Sequence, residues 1–289
     1  MNKGRIIKGV GGLYFVADGT HIYECSARGK FRKSNTTPTV GDYVNITIID
    51  EQDKKGTIET IEKRKNILLR PKVSNIDTAV ITFAGTNPSI NFDLLDRFLL
   101  MAQTQNIDDI IICINKSDLI KAEDKEYITR IYSRIYNLIF TSVIEDTHLD
   151  NLRAMLKGKV CVFAGPSGVG KSSIINTIIP NMNRQTGEIS KKIKRGKHTT
   201  REVELMAVDN DTYIVDSPGF TSLNLDFLKP EELQFYFKEF SDYLGKCAFT
   251  DCAHIHEPNC AIKENIGNTI AQERYDRFVY LFKELSNSR

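Results

Sequence analysis

At 289 residues the chain has room for more than one domain, and its 41% hydrophobic and 26% charged content is that of a folded protein, which excludes a disordered chain. No apolar run approaches the ~18 residues of a bilayer span, and Met1 to Lys8 lacks the apolar core of a signal peptide, so the expectation is a cytoplasmic protein with no membrane partner. Formal net charge is +2, yet residues 1–75 carry 14 Lys and Arg against 8 Asp and Glu, or +6, while the remainder carries 25 against 29, or −4. A basic module on a mildly acidic body suits a polyanionic partner, although such an excess also serves simply to solvate a face.

Residues 1–68 read as short strands with glycine corners. Leu13 to Ala17 runs into Asp18-Gly19, a hairpin signal, and His21 to Cys25, Tyr43 to Ile49 and Gly56 to Ile61 follow with no helical stretch. About five strands of this kind predict a small all-β barrel of OB-fold type. Arg28, Lys30, Arg32 and Lys33 surround Phe31, a basic loop with one ring to stack on single-stranded RNA, or equally a solvated loop. Lys63 to Pro71 reads as a linker.

Beyond the linker the period changes. Thr78 to Ala84 and Ile110 to Ile114 are continuous apolar runs, as in buried parallel strands, and Phe92 to Gln105 and Lys121 to Tyr136 are apolar at helical spacing. Leu138 to Phe140 supplies another strand and Leu149 to Leu156 another helix. The alternation predicts an α/β sheet domain over 69–224. Cys113 and Cys161 sit in strand runs and read as buried thiols; Cys25 carries no signal.

Three segments of this domain carry chemistry. Val160 to Ala164 is a strand, and Gly165-Pro166-Ser167-Gly168-Val169-Gly170-Lys171-Ser172 follows it, with Ser173 opening the apolar helix that Pro180 stops. Strand, glycine-rich turn and helix form a phosphate-binding loop: backbone N–H groups cradle a polyphosphate, Lys171 reaches the β- and γ-phosphates, and the Ser172 hydroxyl ligates Mg²⁺. Asn115-Lys116-Ser117-Asp118 ends a buried strand, where α/β sheets bind ligands. A carboxylate at Asp118 accepts from both N1–H and the exocyclic amine of guanine, whereas adenine would leave it desolvated and unpaired. Asn115 braces the base and its loop, the Lys116 stem lies along the base, and Ser142, ending the next strand, supports the base. Tyr213 to Val215 leads into Asp216-Ser217-Pro218-Gly219, in which Asp216 holds Mg²⁺ through water and the Gly219 N–H senses the γ-phosphate. Between these lies a polar loop holding Lys191, Lys192, Lys194, Arg195, Lys197, His198, Thr199, Thr200 and Arg201. Thr199 and Thr200 are nucleotide-binding candidates, and Thr200 would complete the Mg²⁺ shell; the basic residues suit RNA contact.

Base-reading segment first and phosphate loop second is the reverse of an ordinary GTPase, so the domain is a circularly permuted P-loop GTPase. Phe220 stands where Ras-like enzymes carry the water-positioning glutamine, and His198 is the nearest substitute. At the C-terminus, Cys247-x₄-Cys252-x-His254-x₅-Cys260 offers enough ligands for a closed, structural Zn²⁺ site, with His256 a competing imidazole. Pro230 to Tyr243 and Thr269 to Leu285 read as flanking helices, the second with a Thr269/Gln272 capping box. The fold class is thus an all-β OB-fold barrel over 1–68, an α/β P-loop GTPase domain over 69–224, and a mostly helical zinc-binding domain over 225–289.

In this permuted order, with a barrel before and a Cys/His cluster after, the chain resembles the RsgA (YjeQ) family of bacterial GTPases that depend on the small ribosomal subunit. The resemblance spans essentially the whole chain. It implies a monomer whose barrel docks on 16S rRNA, which binds the 30S subunit, assists its late maturation, and hydrolyses GTP to GDP with ribosome stimulation. It also implies His254 as the fourth zinc ligand and His198 as catalytic. The alternative kept beside it is a GTP-gated rRNA-binding assembly factor in which hydrolysis is incidental.

Overall fold

The computed structural model describes residues 2–33, 36–69, 72–107, 109–179, 203–216 and 225–287, the side chains of Arg32, Lys33, Leu69 and Asp216 excepted. Strands β1 (Asn2–Val10), β2 (Leu13–Ala17), β3 (Ile22–Ala27), β4 (Tyr43–Asp50) and β5 (Lys55–Ile61) close into a barrel in the order β1-β2-β3-β5-β4. Gly11 and Gly12, both at positive φ (58° and 88°), make the two-residue turn from β1 to β2, where a side chain would be strained. Along the strands every second residue points inward, so Ile6, Val16, Tyr23, Cys25, Val44, Ile46 and Ile58 fill the interior. Within the basic segment, Lys30–Lys33 forms one helical turn, α1, where the sequence suggested a loop.

The segment read as a linker is a short antiparallel hairpin, β6 (Ile67–Leu69) and β7 (Lys72–Ser74), fastened to the barrel. Asp42 is the fastening point. Its fully buried carboxylate accepts from Arg64 Nε (2.6 Å), Arg64 Nη2 (2.8 Å), Ser74 Oγ (2.6 Å) and the Thr39 N–H (2.8 Å). Four donors on one buried carboxylate offset its desolvation and fix the angle between barrel and hairpin.

The central sheet contains β8 (Thr78–Ala84), β9 (Asp109–Asn115), β10 (Asn137–Phe140), β11 (Val160–Ala164), β12 (Met206–Ala207) and β13 (Tyr213–Asp216) in the order β10-β9-β8-β11-β13-β12. All pairings are parallel except β12 with β13. One face packs Ala79, Ile81, Phe83, Ile110 and Ile112 against α2 (Phe92–Thr104) and α3 (Ala122–Tyr132) through Leu95, Phe98, Leu99, Ile128 and Ile131. The other packs Val80, Ile111, Cys113, Cys161 and Phe163 against α4 (Leu149–Leu156) and α5 (Lys171–Ile178). Asn91 caps α2, accepting the Leu94 N–H at 3.0 Å. The chain moves outward from β8 to β9 and β10, then returns to β11 on the other side of β8. That reversal opens a crevice at the carboxyl ends of β8 and β11, where open α/β sheets bind ligands.

The C-terminal module packs Leu228, Leu233, Phe237, Phe240, Ile262, Phe278 and Leu281 into its own core. Pro230 to Tyr243 is not an α-helix: it holds two 3₁₀ turns, Pro230–Tyr236 and Lys238–Phe240. Phe237 is pulled into extended backbone (φ −99°, ψ 97°) so that its ring meets Phe240 and Phe278, each at a centroid distance of 5.3 Å. After α6 (Ala261–Glu264), α7 spans Gln272–Asn287 and so starts three residues later than the sequence suggests. Thr269 does not cap it; its hydroxyl pairs with Tyr243 Oη at 2.5 Å. Arg274 of α7, with no solvent exposure, bonds Asp96 of α2 (2.6 Å) and Glu239 (2.6 Å), joining the module to the sheet domain.

Candidate nucleotide site and metal-ligand cluster

The glycine-rich turn joins β11 to α5 at the crevice. Gly165 (φ 141°) lies so close to β8 that a Cβ there would stand 2.0 Å from the Thr82 carbonyl oxygen. Gly168 (φ 80°) and Gly170 (φ 93°) also occupy the left-handed half of backbone space, and Gly170 is the N-cap of α5, leaving its first N–H groups directed into the loop. Lys171 Nζ spans the turn, donating to the carbonyls of Gly165 (2.8 Å) and Pro166 (2.7 Å). Pro166 and Val169 complete the curve of the turn, while Ser167, Ser172 and Ser173 are exposed on it.

The segment Asn115 to Asp118 begins where β9 ends and meets this turn directly. Asn115 Nδ2 donates to the Val169 carbonyl at 2.9 Å, and a Cβ on Gly170 would come within 2.3 Å of that nitrogen. Lys116 adopts a left-handed backbone (φ 57°) and its ammonium donates to the Asn87 carbonyl. Ser117 opens a 3₁₀ turn, Ser117–Leu119, and its N–H bonds the Thr141 carbonyl at 3.0 Å. Asp118, half-buried, accepts from Ser142 Oγ at 2.5 Å, which aims the carboxylate. Asn115, Asp118, Ser142 and the turn from Gly165 to Ser172 therefore share one crevice.

Asp216 ends β13 paired in register with Phe163 of β11, one strand from the turn. Its side chain, and His198, Thr199, Thr200, Ser217, Pro218, Gly219 and Phe220, lie outside the described residues, as do the basic positions Lys191, Lys192, Lys194, Arg195, Lys197 and Arg201.

Far from this crevice in sequence, Cys247, Cys252, His254 and Cys260 bring one ligand atom each to within 4.8 Å of one another, while His256 is exposed and not in the group. Tetrahedral Zn²⁺ with bonds of about 2.3 Å to sulfur and 2.0–2.1 Å to nitrogen has S···S edges near 3.8 Å and S···N edges near 3.6 Å. Observed are Cys247–Cys260 Sγ at 3.8 Å, and His254 Nδ1 to Cys247 Sγ at 3.6 Å and to Cys260 Sγ at 3.4 Å. The donor set thus fits a closed metal site. Glu257 shapes the turn, accepting the N–H groups of Ala253 (2.8 Å), Ile255 (3.0 Å) and His256 (3.1 Å). Partial burial would raise its carboxyl, but those N–H groups outweigh it and hold the value at about 2.

A phosphate turn and a guanine-type base segment on one sheet edge in swapped chain order, flanked by a barrel and a Cys/His module, define a circularly permuted GTPase. The family model described as RsgA GTPase matches residues 61–226, and that described as RsgA N-terminal domain matches residues 3–58. The chain belongs to the RsgA family and is a GTP hydrolase. Its relatives include the small ribosomal subunit biogenesis GTPase RsgA of Alkaliphilus metalliredigens (strain QYMF), 46% identical over 100% of this chain and 99% of the relative. The protein of the same name from Clostridium botulinum (strain 657 / Type Ba4) is 45% identical over 99% and 98%. Among solved structures, YjeQ from Thermotoga maritima superposes with a TM-score of 0.86 at 34% identity, covering 100% of this chain and 99% of that one. The circularly permuted GTPase YloQ gives 0.83 at 35%, covering 100% and 96%. No helix among the described residues is long and apolar enough to cross a membrane.

Sequence reasoning missed the Asn115–Val169 bond, the Asp42 joint and the Arg274 anchor. Each unites residues far apart in the chain, and none carries a local signal.

Proposed function

We propose that this cytoplasmic chain acts as a monomer on the small ribosomal subunit, binding 30S particles through 16S rRNA and assisting their late maturation. GTP is hydrolysed to GDP faster on the ribosome than off it. The observation that carries the nucleotide half is the Asn115–Val169 bond, because it joins the base-reading segment to the phosphate turn across a single crevice. The ribosomal half is supported by the names of full-length relatives.

Asp118, aimed by Ser142, accepts the two guanine donors, while Asn115 and Lys116 flank the base and Ser117 holds the loop. The backbone of Gly165, Pro166, Ser167, Gly168, Val169 and Gly170 surrounds the phosphates, and Lys171 leaves its own carbonyl partners to bond the β- and γ-oxygens. Ser172, beside Ser173 at the helix start, would hold Mg²⁺ together with Thr200, and the ion would supply positive charge to the phosphates. Thr199 and the Gly219 N–H complete the γ-phosphate contacts, Asp216 would hold Mg²⁺ through water, and His198 orients the attacking water. Cys247, Cys252, His254 and Cys260 hold structural Zn²⁺, which stiffens a small module. The working units are the barrel at 1–68, the GTPase domain at 69–224 and the zinc module at 225–289.

Co-sedimentation with 30S particles tests the reading: retention with a non-hydrolysable GTP analogue and loss with GDP support it, and equal pelleting with both contradicts it. Phe220, which cannot orient water by hydrogen bonding, favours a second reading in which nucleotide binding gates RNA contact and hydrolysis is incidental. His198→Ala separates the two: a variant that still binds GTP yet leaves 30S particles at the normal rate supports the second.

A further inference from the structure

The metal-ligand cluster depends on which nitrogen of His254 faces the thiols, and the surrounding hydrogen bonds decide it. Nδ1 faces Cys260 Sγ (3.4 Å) and Cys247 Sγ (3.6 Å), while Nε2 lies 2.8 Å from Gln234 Oε1. The other end of the same amide is fixed too: Gln234 Nε2 donates to the Glu231 carbonyl at 2.8 Å. A carbonyl oxygen only accepts, so the NH₂ group must face Glu231 and the amide oxygen must face the imidazole. That oxygen also only accepts, so His254 carries its proton on Nε2, and Nδ1 keeps a free lone pair.

We propose that Gln234 is a positioning residue of the metal centre, holding His254 in the Nε2–H tautomer with Nδ1 as the ligating atom. The proposal rests on the zinc reading above. His254 is 2% exposed and its ring is enclosed by Phe240 and Phe278, at centroid distances of 6.2 and 6.3 Å. Without Gln234 a buried N–H would be left unpaired, and the other tautomer would place its proton against the thiolates. Backbone support comes from a separate direction, since Tyr275 Oη donates to the His254 carbonyl at 2.8 Å and holds the residue in its left-handed conformation (φ 62°). Gln234 lies in the 3₁₀ turn Pro230–Tyr236, 20 residues before His254, so metal binding and the order of that turn are linked.

The full-length chain tests this in two ways. Zinc affinity, read by competition with a chromophoric chelator, is expected to fall about 10- to 100-fold in Gln234→Ala, the usual effect of losing an outer-shell partner. It should stay at or above the wild-type value in Gln234→Glu, which keeps an accepting oxygen. Long-range ¹⁵N–¹H correlation of the zinc-loaded wild type needs no substitution and should show Nε2 protonated and Nδ1 bound to metal. Tight zinc binding that is equal in wild type and Gln234→Ala, or metal on Nε2, overturns the role of Gln234 alone. A wild type that holds no zinc overturns the zinc reading and this proposal with it.

Discussion

Asn115 donates from Nδ2 to the carbonyl oxygen of Val169 at 2.9 Å, and both residues are almost wholly buried. One side chain thereby fixes the distance between the Asn115–Asp118 segment, proposed to read the base, and the glycine-rich turn, proposed to hold the phosphates. Removing it in Asn115→Ala strands a buried carbonyl, at a cost of ~1–3 kcal/mol, and GTP binding should weaken by roughly 5- to 150-fold. Asp118→Asn should act differently. An amide still accepts from N1–H, but its NH₂ meets the amino group of guanine, while it suits the C2 oxygen of xanthine. Titrations with fluorescent GTP and XTP should show GTP affinity lost and XTP affinity gained.

The glycines of the phosphate turn should differ sharply in tolerance. Gly165→Ala would press its methyl against the Thr82 carbonyl of the neighbouring strand at 2.0 Å and should impair folding, read as a loss of soluble protein. Gly170→Ala meets only the Asn115 amide, at 2.3 Å, and should fold but lose nucleotide affinity. Gly168→Ala finds no atom within 4 Å and carries only the strain of positive φ, about 1 kcal/mol.

Breaking the joint between sheet domain and C-terminal module should be costly. Burial alone would lower the Arg274 pKa, but Glu239 and Asp96 overcome that and raise it, so the guanidinium remains charged. Asp96→Ala leaves that buried cation half-paired and removes the acceptor of the Tyr132 hydroxyl (2.9 Å). A loss of ~3–5 kcal/mol is expected in urea unfolding. Arg130→Ala, which breaks the exposed pair with Glu273 between the same two units, should leave the unfolding midpoint where it is.

Acid should release stability stored at the other edge of the sheet. Partial burial raises the Asp109 carboxyl, but Lys159 Nζ (2.7 Å), Thr78 Oγ1 (2.8 Å) and Asn137 Nδ2 (3.3 Å) outweigh it and hold the carboxyl below its ordinary 3.8. A depressed acid contributes stability that is complete above the unfolded value and disappears as pH falls through the folded one. Wild type and Asp109→Asn should therefore differ by a constant amount from pH 7 to about pH 5. Their unfolding free energies should converge below pH 4.

Much of the candidate site's layout was legible because its sequence patterns are local. Gly165 to Ser172 and Asn115 to Asp118 are consecutive residues framed by apolar strands, and the cysteine spacing is compact. What stayed hidden is non-local. Asp42, Gln234 and Arg274 look like ordinary solvated side chains in sequence, and only folding reveals each as the partner of a buried group. The same holds for Pro230 to Tyr243, where a helical pattern gave way because Phe237 and Phe240 both turn to meet Phe278. The linker became a hairpin for a similar reason, since Arg64 and Ser74 are both drawn to the Asp42 carboxylate.

Ribosome-dependent turnover is what separates the proposed role from that of a free-standing GTPase. Steady-state phosphate release from GTP, measured with purified 30S subunits at rising concentration and with 50S subunits as control, tests it most directly. A saturable rise of at least tenfold with 30S alone, abolished by Lys171→Ala, is the predicted result. A rate that 30S subunits leave unchanged would contradict the account.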